Sequence, residues 1–161
     1  KMRNTIDKIC TISEIKIKLD IFRLENKIVF TNGCFDILHL GHIELLEKAQ
    51  SFGNILVVGL NSDTSVESLN KGSDRPIRKQ DDRARILAAL EAVDYIVIFD
   101  ESDPLRLIEQ VMPDVLVKGS DWSGKKIAGQ EFVESYGGRV KFVKLVEGHS
   151  TTAEIERIRR K

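Results

Sequence analysis

The strongest constraint on the fold is an alternation of short β-branched runs with amphipathic segments. Residues 54–61 read Asn-Ile-Leu-Val-Val-Gly-Leu-Asn, almost continuously apolar. A strand with one wet face would alternate apolar with polar side chains; a strand lacking that alternation is buried on both faces, as in a parallel sheet. Similar runs predict strands over 27–31, 95–99, 115–118 and 140–145. Between them apolar residues recur three and four apart, the spacing of one helix face. They are Ile12, Ile15, Leu19 and Phe22 within 11–25, Ile43, Leu46 and Ala49 within 40–52, and Ile86, Leu87 and Leu90 within 80–92. Further helices are predicted over 104–111, opened by Pro104, over 129–136, closed by Gly137-Gly138, and over 151–160. Strands alternating with helices imply right-handed crossovers, so the fold class is α/β: a Rossmann-like parallel sheet with helices on both faces. A length of 161 residues suits a single domain over 1–161, with 1–26 as an N-terminal helical extension.

Charge and cysteine content narrow the function classes. The 25 basic residues are matched by 25 acidic ones, which removes the basic excess that a nucleic-acid binder uses against phosphates. The two cysteines, Cys10 and Cys34, are too few for a disulfide framework. No apolar run is long enough to span a membrane, and the N-terminal residues lack the apolar centre of a signal peptide. A cytoplasmic protein without membrane or nucleic-acid partners is expected.

Ligands of open parallel sheets bind beyond the carboxyl ends of the strands, so the segments just after strands carry the chemistry. Residues 31–42 read Thr-Asn-Gly-Cys-Phe-Asp-Ile-Leu-His-Leu-Gly-His and run from a strand into a helix. Gly33 permits close backbone approach to an anion, and the helix N-terminus offers N–H groups and a positive dipole end. His39 and His42 are three apart and can face one point, with Gly41 leaving room beside them. Three readings stand: surface or capping histidines, a zinc site completed by His149, and a phosphate site. Neither a Walker A pattern, a dinucleotide glycine fingerprint nor a Gly-x-Ser-x-Gly elbow is present. Cys34 has no adjacent base in sequence and is not read as a nucleophile. The polar connection over 62–79 has a length that signals a functional loop.

The segment 31–42 resembles the His-x-Gly-His signature of the cytidylyltransferase-like nucleotidyltransferases, and its wording is most similar to the D-glycero-β-D-manno-heptose 1-phosphate adenylyltransferases. Further matches follow in order: Lys71-Gly72, Arg75-Pro76, Arg83, the stretch 89–94, 116–119 with Asp121, 127–129, Gly137-Gly138 and Ser150-Thr151-Thr152. Together they span about 27–160. Two features depart from a uniform match. Ser120-Asp121-Trp122 resembles the glycerol-3-phosphate cytidylyltransferases equally well. Those enzymes usually carry Arg-Thr-Glu-Gly-Ile-Ser leading into the final Thr-Thr, with the arginine five residues before the serine, where this chain has Leu145.

The resemblance implies transfer of AMP from ATP to the heptose 1-phosphate, giving ADP-heptose and pyrophosphate for lipopolysaccharide core synthesis. The alternatives are a cytidylyltransferase acting on glycerol 3-phosphate or a similar alcohol phosphate and, in another class, a non-catalytic nucleotide-binding module. It implies that His39, His42 and Lys71 are catalytic. The nucleotide would be bound by Thr31, Asn32, Gly33, Cys34, Phe35 and Gly41 from the first motif, by Lys118, Gly119 and Asp121, and by Ser150, Thr151 and Thr152. Arg75 and Arg83 are candidates for the substrate phosphate, Arg83 alternatively for a surface pair with Asp81 or Glu91. Mg2+ is the implied cofactor, held mainly by phosphates, with Asp36 and Asp121 as candidate ligands; Asp36 serves equally well to fix the turn. A homodimer is implied, supplied by a separate heptose 7-phosphate kinase and a phosphatase.

Overall fold

The apolar runs become neighbouring strands of one sheet in the computed structural model, which describes residues 4–69 and 74–160. The strands are β1 (Ile9–Cys10), β2 (Ile28–Gly33), β3 (Ile55–Asn61), β4 (Tyr95–Phe99), β5 (Val115–Gly119) and β6 (Arg139–Val143). Their order is β1-β4-β3-β2-β5-β6, and every pair is parallel. The helices are α1 (Ile12–Phe22), α2 (Leu40–Gln50), α3 (Asp63–Ser68), α4 (Gln80–Ala88), α5 (Leu105–Val111), α6 (Gln130–Ser135) and α7 (Thr151–Arg159). Among the described residues no helix is long and apolar enough to cross a membrane.

Successive side chains of a strand point to opposite faces, and each face has its own core. Val29, Leu56, Val58 and Leu60 pack with Leu46 of α2 and with Ala84 and Leu87 of α4. Ile28, Phe30 and Val57 pack on the other side with Ile15 and Leu19 of α1, Leu107 and Ile108 of α5 and Val133 of α6. Half-buried carboxylates fix where the central strands begin. Asp114 accepts from the Ile28 N–H at 2.7 Å, and Asp94 from the Leu56 N–H at 2.9 Å. From β2 the chain builds outward through β3 to β4, then crosses back to place β5 on the opposite side of β2. The crossovers therefore diverge between β2 and β5 and leave a crevice beyond their carboxyl ends. Thr31 ties the two strands there, its hydroxyl donating to the Val117 carbonyl at 3.0 Å.

Two expectations require correction. The N-terminal segment is more than a helical extension, because Ile9 and Cys10 pair with Ile96 and Val97 as an edge strand. Two residues are too few to register as a periodic pattern. α1 then starts at a capping box: Thr11 Oγ1 accepts from the Glu14 N–H, and the Glu14 carboxylate accepts from the Thr11 N–H. The connection 62–79, expected as loop, opens with α3. That helix carries no apolar stripe; it is capped by Ser62 and anchored by Ser65, which donates to the Glu101 carbonyl at 2.7 Å.

The burial of α1 makes a stability prediction. Leu19 is fully buried between α1 and the sheet, whereas Leu24 is 96% exposed. Leu19→Ala is expected to cost about 2–5 kcal/mol and Leu24→Ala less than about 0.5 kcal/mol, read as urea midpoints at constant m-value.

Candidate active site

The turn after β2 is shaped by Phe35, which has a left-handed φ of 45°. Its ring folds back over Gly33, where an added Cβ would lie 3.0 Å from it, and meets the His42 ring at 5.1 Å between centroids. α2 follows with His39 at its N-cap and no side-chain cap, so its first N–H groups are left for solvent or a ligand. His39 and His42 stack with centroids 3.8 Å apart and planes 25° from parallel. Space between them is tight: a Cβ at Gly41 would sit 3.1 Å from two atoms of the His39 ring, which would have to yield. Burial, with His149 close by, holds the His39 pKa below its ordinary value, against the opposing influence of Glu154. The neutral form of the ring is therefore favoured, and that form donates through one nitrogen. Its Nδ1 is buried and makes no hydrogen bond.

Three other segments close around this pair. At the end of β5, Lys118 is buried; its ammonium donates to the Asn32 side-chain oxygen and lies 5.3 Å from the Trp122 ring centroid. Burial lowers the Lys118 pKa to about 8, with Asp121 and Asp103 acting in the opposite direction. A side chain at Gly119 would displace its neighbours, since a Cβ would approach the Asp121 carboxylate to 2.6 Å and the Leu145 side chain to 2.9 Å. α7 is capped by Ser150, whose hydroxyl accepts from the Ala153 N–H at 3.1 Å. Thr151 ties this helix to the first turn by donating to the Ile37 carbonyl at 3.4 Å. The N-termini of α2 and α7 thus converge on one cleft of about 530 Å³ above β2 and β5.

That cleft brings together most residues singled out from sequence. Residues 31–35, His39, Gly41 and His42 line it, as do Arg75, Lys118, Gly119, Asp121 and the 150–152 trio. Lys71 lies outside the described residues. Leu45, Trp122, Leu145, Val146 and His149 also line it; of these, the residues at 145, 146 and 149 were detectable as the stretch leading into a phosphate-competent helix start. The zinc reading gains no support: His149 stands 6.5 Å from His39 between ring centroids, and among the described residues no group of three or more potential ligands assembles.

Two expectations change on geometry. Arg83 does not reach the cleft and is no surface pair with Asp81 or Glu91. Its side chain is fully buried and its guanidinium donates to the carbonyls of Cys34, Asn61 and Arg78 and to the Asp63 carboxylate. Asp36 also has its oxygens engaged. It accepts from Arg75 Nε at 2.6 Å and from the N–H groups of Ile77 and Arg78 at 2.9 and 2.8 Å, so it fixes the turn and offers little to a metal. Asp36 and Asp121 both line the cleft, and of the two Asp121 is not engaged by Arg75 and the 77–78 N–H groups.

Burial alone would raise the Asp36 pKa, but the N–H groups of Arg78 and Ile77 and the Arg75 guanidinium outweigh it and hold the carboxyl below its ordinary value. A depressed folded-state pKa gives stability that is present above the unfolded value, about 3.9 for Asp, and lost as pH falls through the folded one. Asp36→Asn would set an amide donor against the N–H donors of 77–78. It is expected to destabilise by about 3–5 kcal/mol at pH 7, and the gap in Tm from wild type should narrow as pH drops below about 4.

Comparisons with known proteins agree with this geometry. The chain is 59% identical to the bifunctional protein HldE of Geotalea uraniireducens over 133 residues, which is 83% of this chain and 27% of that protein. It is 53% identical to the bifunctional protein HldE of Aliarcobacter butzleri over 156 residues, 96% of this chain and 32% of that one. The chain therefore spans about a third or less of the length of these relatives. Among solved structures, the lipopolysaccharide core biosynthesis protein of Thermoplasma volcanium matches with a TM-score of 0.63 and 30% identity, over 75% of this chain and 97% of that one. A pantoate-beta-alanine ligase from Francisella tularensis shares the fold with a TM-score of 0.64 at 17% identity, over 95% of this chain and 79% of its own. Residues 30–157 match the cytidylyltransferase-like family profile, and the chain belongs to that family.

Proposed function

We propose that the chain transfers AMP from ATP to a sugar 1-phosphate, with D-glycero-β-D-manno-heptose 1-phosphate as the sugar substrate, releasing pyrophosphate. The observation that carries this reading is the convergence of two helix N-termini and the stacked His39–His42 pair on one cleft at the strand reversal. Such a site suits a polyphosphate. The similarity to a lipopolysaccharide core biosynthesis protein and to the HldE proteins supports the sugar assignment. The upstream chemistry that supplies a sugar 1-phosphate, a kinase and a phosphatase acting on a heptose phosphate, belongs to the same proposal.

A phosphate monoester has a second pKa near 6, so the attacking oxygen is already deprotonated at pH 7 and needs no general base. That oxygen forms a bond to the α-phosphorus as the bond to the β-phosphate oxygen breaks, and pyrophosphate leaves with its electron pair. The protein's work is alignment and charge neutralisation. His39 and His42 donate to the phosphates, the N–H groups at the starts of α2 and α7 hold the triphosphate, and Lys118 adds a positive charge beside the strand ends. The trio 150–152 binds the far end of the triphosphate, and Arg75 faces the same cleft. Mg2+ carried on the triphosphate would offset phosphate charge, with Asp121 the carboxylate available to it.

A cytidylyltransferase reading is favoured by one feature, the Ser-Asp-Trp at 120–122, and is opposed by the absence of an arginine at position 145. Incubation with ATP or CTP and a panel of sugar and alcohol phosphates separates the two: ATP with heptose 1-phosphate is expected to give the fastest pyrophosphate release. Preference for CTP with glycerol 3-phosphate would contradict the proposal.

Two further outcomes follow for the wild-type reaction. His42→Ala is expected to lower kcat by about 10²–10³-fold, measured as pyrophosphate release. Because Lys118 loses its charge as pH rises through about 8, kcat/KM should decline on that alkaline side, and Lys118→Met should lack that limb of the profile.

A further inference from the structure

Arg83 is fully buried and does not line the cleft, yet its guanidinium links parts of the chain that shape it. Its four acceptors come from four separate stretches: Cys34 in the turn after β2 at 2.6 Å, Asn61 at the end of β3 at 2.7 Å, Asp63 at the start of α3 at 2.9 Å and Arg78 before α4 at 3.0 Å. Four of its five N–H donors are thereby used in a fixed fork. Taking a guanidinium out of water is costly unless it is matched by charge and hydrogen bonds; Asp63 supplies the charge and three carbonyls the rest.

A second tie joins the turn after β2 to the segment 75–83 in the same direction, with the donors again on the later segment. Arg83 donates from the second segment to the Cys34 carbonyl, while Asp36 accepts from Arg75, Ile77 and Arg78 of that segment. The residue caught between the two ties is Phe35. It holds the left-handed φ of 45°, a conformation disfavoured for any residue bearing a Cβ. Such a conformation persists where its surroundings over-determine it, and here its neighbours on both sides are pinned. The Phe35 ring in turn stands against His42.

We infer that Arg83 is a positioning residue: together with Asp36 it clamps Phe35 in its left-handed conformation, and the Phe35 ring sets the orientation of His42. The inference rests on the proposed function only for His42's role in turnover. The chain of contacts from Arg83 to His42 exists independently of it.

Arg83→Lys keeps the charge but, as a compact ammonium, cannot reproduce the fork. It is expected to lower kcat by about 10–100-fold, the scale of a small misplacement at a reacting centre, with the KM for ATP nearly unchanged. It should also shift the His42 ring 1H–15N resonances. Because both variants act through one imidazole, the loss in Arg83→Lys/His42→Ala should be close to that of His42→Ala alone. Asp63→Asn, which leaves the three carbonyl contacts in place, should show a smaller change in the same direction and serves if Arg83→Lys does not fold. Unchanged His42 resonances in the folded variant, a wild-type kcat, or a double-variant loss equal to the product of the single losses would overturn the inference. If the wild type itself releases no pyrophosphate, the proposed function fails. The His42 resonances then decide the Arg83 inference alone: a shift supports it and no shift overturns it.

Discussion

The divergence of the crossovers beside β2 is the constraint from which the rest of the cleft follows. A parallel sheet aims all its carboxyl ends at one edge, but helices cover most of that edge. Only where connections leave to opposite sides does a gap remain. In this chain the gap opens between β2 and β5, and three short connections deliver most of the cleft's polar groups there. The turn after β2 brings the α2 N-terminus and its two histidines. β5 ends in Lys118 and Gly119, and β6 is followed within a few residues by the start of α7. The longer connection between β3 and α4 adds Arg75, held at the cleft by Asp36.

The electrostatics are equally local. The chain has a net charge of zero, yet the cleft collects two helix N-termini, a buried lysine and three histidines. Dipoles and partial charges fixed in a poorly solvated crevice act more strongly than the same charges on a wet surface. Neutrality argues against a polymeric anion, which needs charge spread over a face. It does not argue against one triphosphate. The cost is that the polar groups must be held rigidly, and the buried ties of Asp36 and Arg83 provide that rigidity.

How much of this was legible in the sequence depends on the range of the interactions. The five longer strands and their intervening helices could be read from periodicity, and the 31–42 motif from its place between a strand and a helix. β1 could not, because two residues carry no pattern. α3 could not, because its anchors are serines and one buried valine rather than an apolar stripe. The role of Arg83 is hidden for a different reason: its partner Cys34 lies 49 residues away in sequence, and an arginine in a polar segment looks like any solvated residue. The engagement of Asp36 is hidden likewise, since Arg75, Ile77 and Arg78 meet it only after α2, β3 and α3 have been placed. Local chemistry shows which residues can meet a phosphate; only tertiary structure shows which of them are already committed to one another.

The central claim is that the cleft aligns two substrates for direct displacement at phosphorus, with no protein nucleophile despite Cys34 in its wall. Stereochemistry at the transferred phosphorus tests it most directly. With the Sp diastereomer of ATPαS and the sugar 1-phosphate, a single in-line displacement predicts inversion of configuration in the sugar-nucleotide product, read by 31P NMR. Net retention would signal two displacements through a covalent enzyme intermediate and would contradict the account.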